Sequence, residues 1–152
     1  MNYAVGDADG STEINVSSEY TQVSSLLGMM PSAVERRPFW QYTKKEQIEI
    51  KRLDTVFESF CSKDARVMLK IDTQGYERHV IEGAERSLPM IKMLQLELSL
   101  VPLYEGETLF PEMCPLLQQR GFQLVSIEPG MNDEKTGQLF QVDGIFQRVP
   151  CG

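Results

Sequence analysis

The chain has 152 residues, 41% of them apolar and 24% charged, enough for one compact core and short for two domains. Its net charge of −7 repels a phosphate backbone, and no dense Lys/Arg stripe opposes that average, so the sequence argues against a nucleic-acid partner. No apolar stretch approaches the roughly 18 residues of a membrane span, and the first residues lack the layout of a signal peptide, so no membrane partner and a cytoplasmic location are expected. Cys61, Cys114 and Cys151 are odd in number and far apart, which reads as reduced structural thiols rather than a disulfide framework or a zinc site.

In chain order, "NYAVGDADGSTEINVS" has a short apolar run, a turn signal at Asp9-Gly10, and Ile14 and Val16 alternating onto one face, which predicts a β-hairpin. Residues 17–47 show no clean period and read as a long, partly ordered loop, although Leu26, Leu27, Met29 and Met30 must bury somewhere. "IEIKRLDTVFESF" passes from an alternating strand into a short helix with Leu53, Val56, Phe57 and Phe60 on one side and Asp54 as its cap. A strand at 67–71 then meets a turn, followed by a helix over 76–88 that Pro89 ends. Tyr76, Val80, Ile81, Ala84 and Leu88 fall in one arc of that helix. "MLQLELSL" alternates strictly, with Leu94, Leu96, Leu98 and Leu100 on one face and Gln95, Glu97 and Ser99 on the other. Strand, crossover helix and strand form a parallel pair, the unit of a doubly wound α/β sheet. Thr108 opens a further helix that ends at Gly121, with Leu109, Met113, Leu116 and Leu117 inward and Pro115 as an irregularity. "FQLVSIEP" and "LFQVDGIFQRV", joined by the polar loop "GMNDEKTGQ", read as an antiparallel pair at one edge.

Ligands of open parallel sheets bind beyond the carboxyl ends of the strands, and Asp72 stands at that end of strand 67–71. Glu77 falls within the apolar arc of the next helix; it either meets partners there or simply complements the helix N-terminus. Glu97 lies on a polar face where a central parallel strand would be apolar, so that face borders a polar cleft or the strand lies nearer an edge. Two acids at neighbouring strand ends can hold a divalent ion, orient an amine, or act as a general base on a hydroxyl. His79, the only histidine, falls toward the polar arc with Arg78, Glu82 and Arg86 and reads as a solvated surface residue. "GDADG" has neither the spacing nor the following helix of a phosphate loop, and Ser24, Ser25 and Ser99 lack a nucleophile-elbow context. Tyr104 and Glu105 in "VPLYEGE", and the loop "GMNDEKTG", are places for substrate contacts or plain surface.

"LKIDTQGYERHVIEGAE", "LQLELSLVPLYEGE", "LLQQRGFQLVSIEPG" and "GQLFQVDGIF", with "NYAVGDADGSTEINVS", "SSLL" and "RLDT", together resemble the later part of an FkbM-family methyltransferase domain. The resemblance implies a class I, Rossmann-like α/β fold: one partial domain over 1–152, with a mostly parallel sheet and a C-terminal antiparallel pair. It implies S-adenosylmethionine as cofactor and methylation of a hydroxyl on a small-molecule or carbohydrate acceptor. By the same resemblance Ala4, Val5 and Gly6 lie at the cofactor's adenine side, and Asp72 lies beside the cofactor's methionine portion and the acceptor. Asp72 and Glu97 are then the catalytic candidates, and Glu77, Tyr104 and Glu105 the substrate-binding ones. Domains of this kind begin with a strand, a Gly-containing loop and a second strand ending in an acid, none of which has a counterpart here. Weak or absent donor binding is therefore expected, with an unpaired edge at strand 67–71 that invites a homodimer. Two other readings stay open: a non-catalytic binding or regulatory module of the same fold, and an α/β enzyme that holds a metal on Asp72, Glu77 and Glu97.

Overall fold

The computed structural model describes residues 2–62 and 64–149, so Cys151 lies outside the described residues. Two sheets form. The first comprises β1 (Tyr3–Gly6), β2 (Gly10–Val16) and β3 (Lys44–Arg52) in the order β1-β3-β2. β1 runs parallel to β3 and β2 antiparallel to it, so β1 and β2 are not the hairpin that the sequence predicts. The turn between them is drawn to the far end of β3: the Asp9 carboxylate accepts from Arg52 N at 2.8 Å and from Thr55 Oγ1 at 2.8 Å. That capture spreads β1 and β2 apart and admits β3 between them.

The second sheet has the order β4-β5-β7-β6, built from β4 (Val67–Ile71), β5 (Ile91–Ser99), β6 (Phe122–Pro129) and β7 (Gln141–Arg148). β4 and β5 pair in parallel through a helical crossover, as the sequence predicts, and β6 and β7 form the expected antiparallel pair. The expectation of a mostly parallel sheet does not hold. β5 pairs antiparallel with β7, and over both sheets two strand pairings are parallel and three antiparallel. The physical reason is connectivity. Between β4 and β5 the chain crosses over through a helix, whereas β6 goes to the far edge and β7 returns beside it, filling the place next to β5 from the opposite direction.

Helices α3 (Glu77–Glu82) and α4 (Phe110–Gln119) cover one face of this sheet, where Val80, Ile81, Met113 and Leu117 pack against Leu94, Leu96, Leu98 and Phe146. Both are shorter than the sequence suggests. α3 stops at Glu82, where the ladder turns to other partners: Glu82 O accepts from Arg52 Nη2 at 3.1 Å and Gly83 O from Asp54 N at 3.0 Å, while the Asp54 carboxylate takes Arg86 N at 3.1 Å. α4 starts after Leu109 rather than Thr108, since Glu112 reaches back to Leu109 N at 3.2 Å; Gly121 closes its other end with a φ of 80°. Asp54 itself belongs to the single helical turn α2 (Leu53–Val56) and does not cap it.

Residues 17–47 are more ordered than expected. They hold α1 (Pro31–Arg36), two 3-10 turns and the start of β3, whose residues Lys44–Gln47 are exposed and carry no apolar alternation to announce a strand. Leu27, Met29 and Met30 find their burial in a second cluster around Val23, Ala33, Trp40, Leu103, Tyr104 and Phe140. This cluster roofs the end of β5 on the side of Glu97, where Val23 and Trp40 line a cleft together with that residue and Gln141. Among the described residues no helix is long and apolar enough to cross a membrane.

Candidate functional site

The turn after β4 runs through Asp72, Thr73, Gln74 and Gly75, and two of its residues are left-handed in succession: Gln74 at φ 56° and Gly75 at φ 93°. Gly75 is required, because a Cβ there would lie 2.8 Å from Tyr104 Cβ. Gln74 carries a side chain in a conformation that costs on the order of 1–3 kcal/mol, so its surroundings must hold it. Glu77 does so. Its Oε1 accepts from Thr73 N at 2.9 Å, Thr73 Oγ1 at 3.1 Å and Gly75 N at 3.2 Å, while Ser25 Oγ donates to the Gln74 carbonyl at 2.7 Å.

From this braced turn the Gln74 side chain reaches between the two acids. Its Nε2 donates to Asp72 Oδ1 at 2.7 Å and to Glu97 Oε2 at 3.0 Å, and its Oε1 accepts from the Tyr104 hydroxyl at 2.5 Å. Gln141, on β7, donates from Nε2 to the same Glu97 oxygen at 3.0 Å. Asp72 and Glu97 are thus brought together, as their positions at adjacent strand ends imply, with an amide nitrogen as the link. Asp72 is exposed and its Oδ2 lies 3.5 Å from Lys70 Nζ.

Burial pushes the Glu97 carboxyl up to about 7; the neighbouring carboxylate of Asp72 adds to the rise, and the hydrogen bond from Gln74 opposes it. Burial likewise pushes Glu77 up to about 7 against the pull of the backbone N–H groups it accepts. The Tyr104 phenol is held far above its ordinary range, first by burial and then by Tyr42 and Glu97. At neutral pH it is therefore protonated and donates to Gln74.

A cleft of about 530 Å³ opens over these groups, lined by Asp72, Gln74, Glu97 and Gln141 on one side and by Tyr20 and Trp40 from the roof on the other. A second, of about 320 Å³, lies behind the β4 edge and is mostly apolar, with Val5, Leu53, Leu69, Ile71 and Val80 as walls. Asp72 lines both. These volumes fall within the range of about 300–1,000 Å³ usual for small-molecule sites.

Val5 walls the 320 Å³ cleft, and Ala4 and Val5 line a neighbouring hollow of about 310 Å³ beside Thr73 and Tyr76. Gly6 is a packing glycine: a Cβ on it would lie 2.6 Å from Ile50 Cδ1 and 2.9 Å from Tyr76 Cε1. Glu77 is only 4% exposed and turned into the loop it braces, and Tyr104 stands behind Gln74 at 2% exposed. Glu105 lies over Gly28, where its carboxylate fills the space a Cβ would need. His79 is not the solvated residue expected; its ring stacks on Tyr76 at 4.0 Å, and its Nδ1 is buried with no hydrogen-bond partner among the described residues. Among the described residues no three His, Cys, Asp or Glu side chains are grouped to hold a metal.

Sequence reasoning missed Gln74, Gln141, Tyr20 and Trp40. Gln141 left a trace, since it stands opposite Ser99 in the β5–β7 register and continues the polar face of Gln95, Glu97 and Asp143. Tyr20 and Trp40 left none, because the segment that carries them has no period.

Comparison with curated proteins and with solved structures finds no match. The model of the methyltransferase FkbM domain matches residues 1–124, a span that contains the β4 turn, Glu97 and Tyr104. The chain therefore belongs to the FkbM methyltransferase domain family.

Proposed function

We propose that the protein transfers the methyl group of S-adenosylmethionine to a hydroxyl oxygen of a small-molecule or carbohydrate acceptor. The observation that carries this reading, beside the family, is that Asp72 lines both clefts. A donor in the smaller and an acceptor in the larger meet at the carboxyl end of β4, where an α/β sheet presents its ligands.

When bound, S-adenosylmethionine supplies a methyl carbon on a sulfonium, from which the acceptor oxygen displaces the sulfur in line. The residues of the smaller cleft suit part of that molecule. Val5, Leu53, Leu69, Ile71 and Val80 offer an apolar wall to its ring, and the Asp72 carboxylate offers a partner for its cationic portion. Asp72 and Val5 are the proposed cofactor contacts, with Ala4 alongside in the neighbouring hollow, and Gly6 packs against Ile50 and Tyr76.

In the larger cleft Tyr20 and Trp40 offer aromatic surface to the C–H faces of an acceptor, and Gln22, Gln74 and Gln141 offer amides to its hydroxyls. Glu97 is the group suited to take the proton as the O–CH₃ bond forms, because it lines the larger cleft and burial pushes its carboxyl up to about 7. The remaining task is alignment of donor and acceptor, which two clefts sharing one residue perform. Free Cys61 and Cys114 suit a reducing compartment such as the cytoplasm.

The test is calorimetric titration of the protein with S-adenosylmethionine, followed by transfer of a labelled methyl group to a panel of polyhydroxylated acceptors. Weak but saturable binding, lost in Asp72→Ala, is the expected result. A folded wild-type protein that takes up no donor would overturn the reading.

A further inference from the structure

We infer that Gln74 is a positioning residue for Glu97: its side-chain amide, oriented by Tyr104 and seconded by Gln141, binds Glu97 Oε2 and leaves Oε1 as the oxygen that receives the acceptor proton. This rests on the methyl-transfer reading above and assigns the base its geometry.

The orientation of the amide follows from the chemistry around it. A glutamine side chain has an acceptor end and a donor end with two hydrogens. Here the Tyr104 hydroxyl, locked as a donor, faces one end, and the carboxylates of Asp72 and Glu97, which can only accept when ionised, face the other. Reversing the amide would set its oxygen against both carboxylates and its NH₂ against the phenol. Each of its two hydrogens is therefore committed to one acid. On Glu97, Oε2 takes both amide donors, from Gln74 and from Gln141, each at 3.0 Å, whereas Oε1 makes no hydrogen bond to the described residues. Because Glu97 lines the 530 Å³ cleft, that unengaged oxygen is the one an acceptor hydroxyl can reach.

The backbone supports the same assignment. A left-handed residue is normally Gly or Asn, and Gln74 is the one described non-glycine residue with positive φ. Three hydrogen bonds to Glu77 Oε1 and one from Ser25 hold the turn in place. Strain maintained at this expense is explained if a side chain of glutamine's length must start from this point to span the acids and Tyr104. The charged and titratable groups facing Glu97 are Asp72 at the end of β4, Glu77 on α3, Asp143 on β7 and Tyr104 in the loop after β5. All the acids repel its ionised form, and the two amides are what oppose them.

The experiment follows the Glu97 side-chain carboxyl by ¹³C NMR as pH is varied, with no donor or acceptor present, in wild type, Gln74→Met, Gln141→Ala and Tyr104→Phe. Met keeps the length of Gln without the amide. Loss of an amide hydrogen bond to the ionised carboxylate moves its midpoint up by about one pH unit. Tyr104→Phe gives a smaller rise, because the amide loses its orienting donor. An unchanged Glu97 midpoint in Gln74→Met overturns the inference; should that variant not fold, an unchanged midpoint in Tyr104→Phe does so. Methyl transfer by wild type is measured separately: its absence with the midpoints shifted as expected would sink the proposed reaction and leave the clamp standing.

Discussion

Gly83 and Gly6 meet so closely that a Cβ on Gly83 would lie 1.8 Å from the Gly6 carbonyl oxygen. This contact joins the end of α3 to the end of β1, and so fixes the first sheet against the helix that follows the site. Gly6 is itself tightly packed, with Ile50 and Tyr76 in the space where its Cβ would stand. Gly83→Ala is therefore expected to destabilise the fold by about 3 kcal/mol, at the severe end of overpacking. Urea unfolding should show a lower midpoint with an unchanged slope. A loss under about 1 kcal/mol would mean that the two elements slide apart at little cost.

Glu77 stabilises the turn through one oxygen, which separates its charge from its role as acceptor. Glu77→Ala leaves the buried Gly75 N–H and the Thr73 N–H without a partner and is expected to cost about 2–4 kcal/mol. Glu77→Gln keeps an acceptor at Oε1 and should cost much less. The sign of the pH effect follows from the raised carboxyl: with a folded value of about 7 against an ordinary 4.5, the folded state holds a proton that the unfolded state has released. Wild-type stability should fall as pH rises through that window, and the Gln variant should flatten the fall. Parallel pH profiles in urea would refute this.

Much of the site was legible in the sequence, and what was not has identifiable causes. Asp72 follows from the position of an acid at a strand's carboxyl end, and Glu97 from the alternation of β5, which set one charge on a face that should have been apolar. The inward turn of Glu77 follows from helical periodicity, but its purpose does not, because its partners are backbone N–H groups of its own turn. Gln74 is silent in sequence. A positive φ on a glutamine has no local signature, and its meaning depends on Tyr104 thirty residues away. The hairpin error has the same origin: Asp9-Gly10 signals a turn, but not that Arg52 would draw that turn to the end of β3.

In the proposed methyl transfer, Glu97 as base would set the pH dependence of the reaction. A base must be ionised to accept a proton, so methyl transfer should increase as pH rises through about 7 and level off above it. Glu97→Gln keeps the volume and removes the basicity. It should lower kcat by about 10²–10⁴-fold and abolish this rise while leaving donor affinity near wild type. The measurement is kcat against pH for both proteins at saturating donor. A rise that persists in the variant would transfer the role of base to another group.

Trp40 gives the two clefts an internal reporter, because it is the only tryptophan in the chain and lines the larger cleft, not the smaller. Its indole is 5% exposed, packed with Val23, Ala33 and Phe140, so the emission of the free protein should be that of an apolar setting. An acceptor entering the 530 Å³ cleft meets a wall that Trp40 helps to form and should change the emission directly. S-adenosylmethionine in the smaller cleft reaches Trp40 only through Asp72 and should leave it nearly unchanged. Titrating each ligand alone under tryptophan excitation separates the sites, and Gln22→Phe, which crowds the larger cleft without adding a second tryptophan, should weaken the acceptor response selectively. The reverse pattern, a strong response to donor and none to acceptor, would exchange the assignments of the two clefts and move Glu97 from the acceptor's side to the donor's.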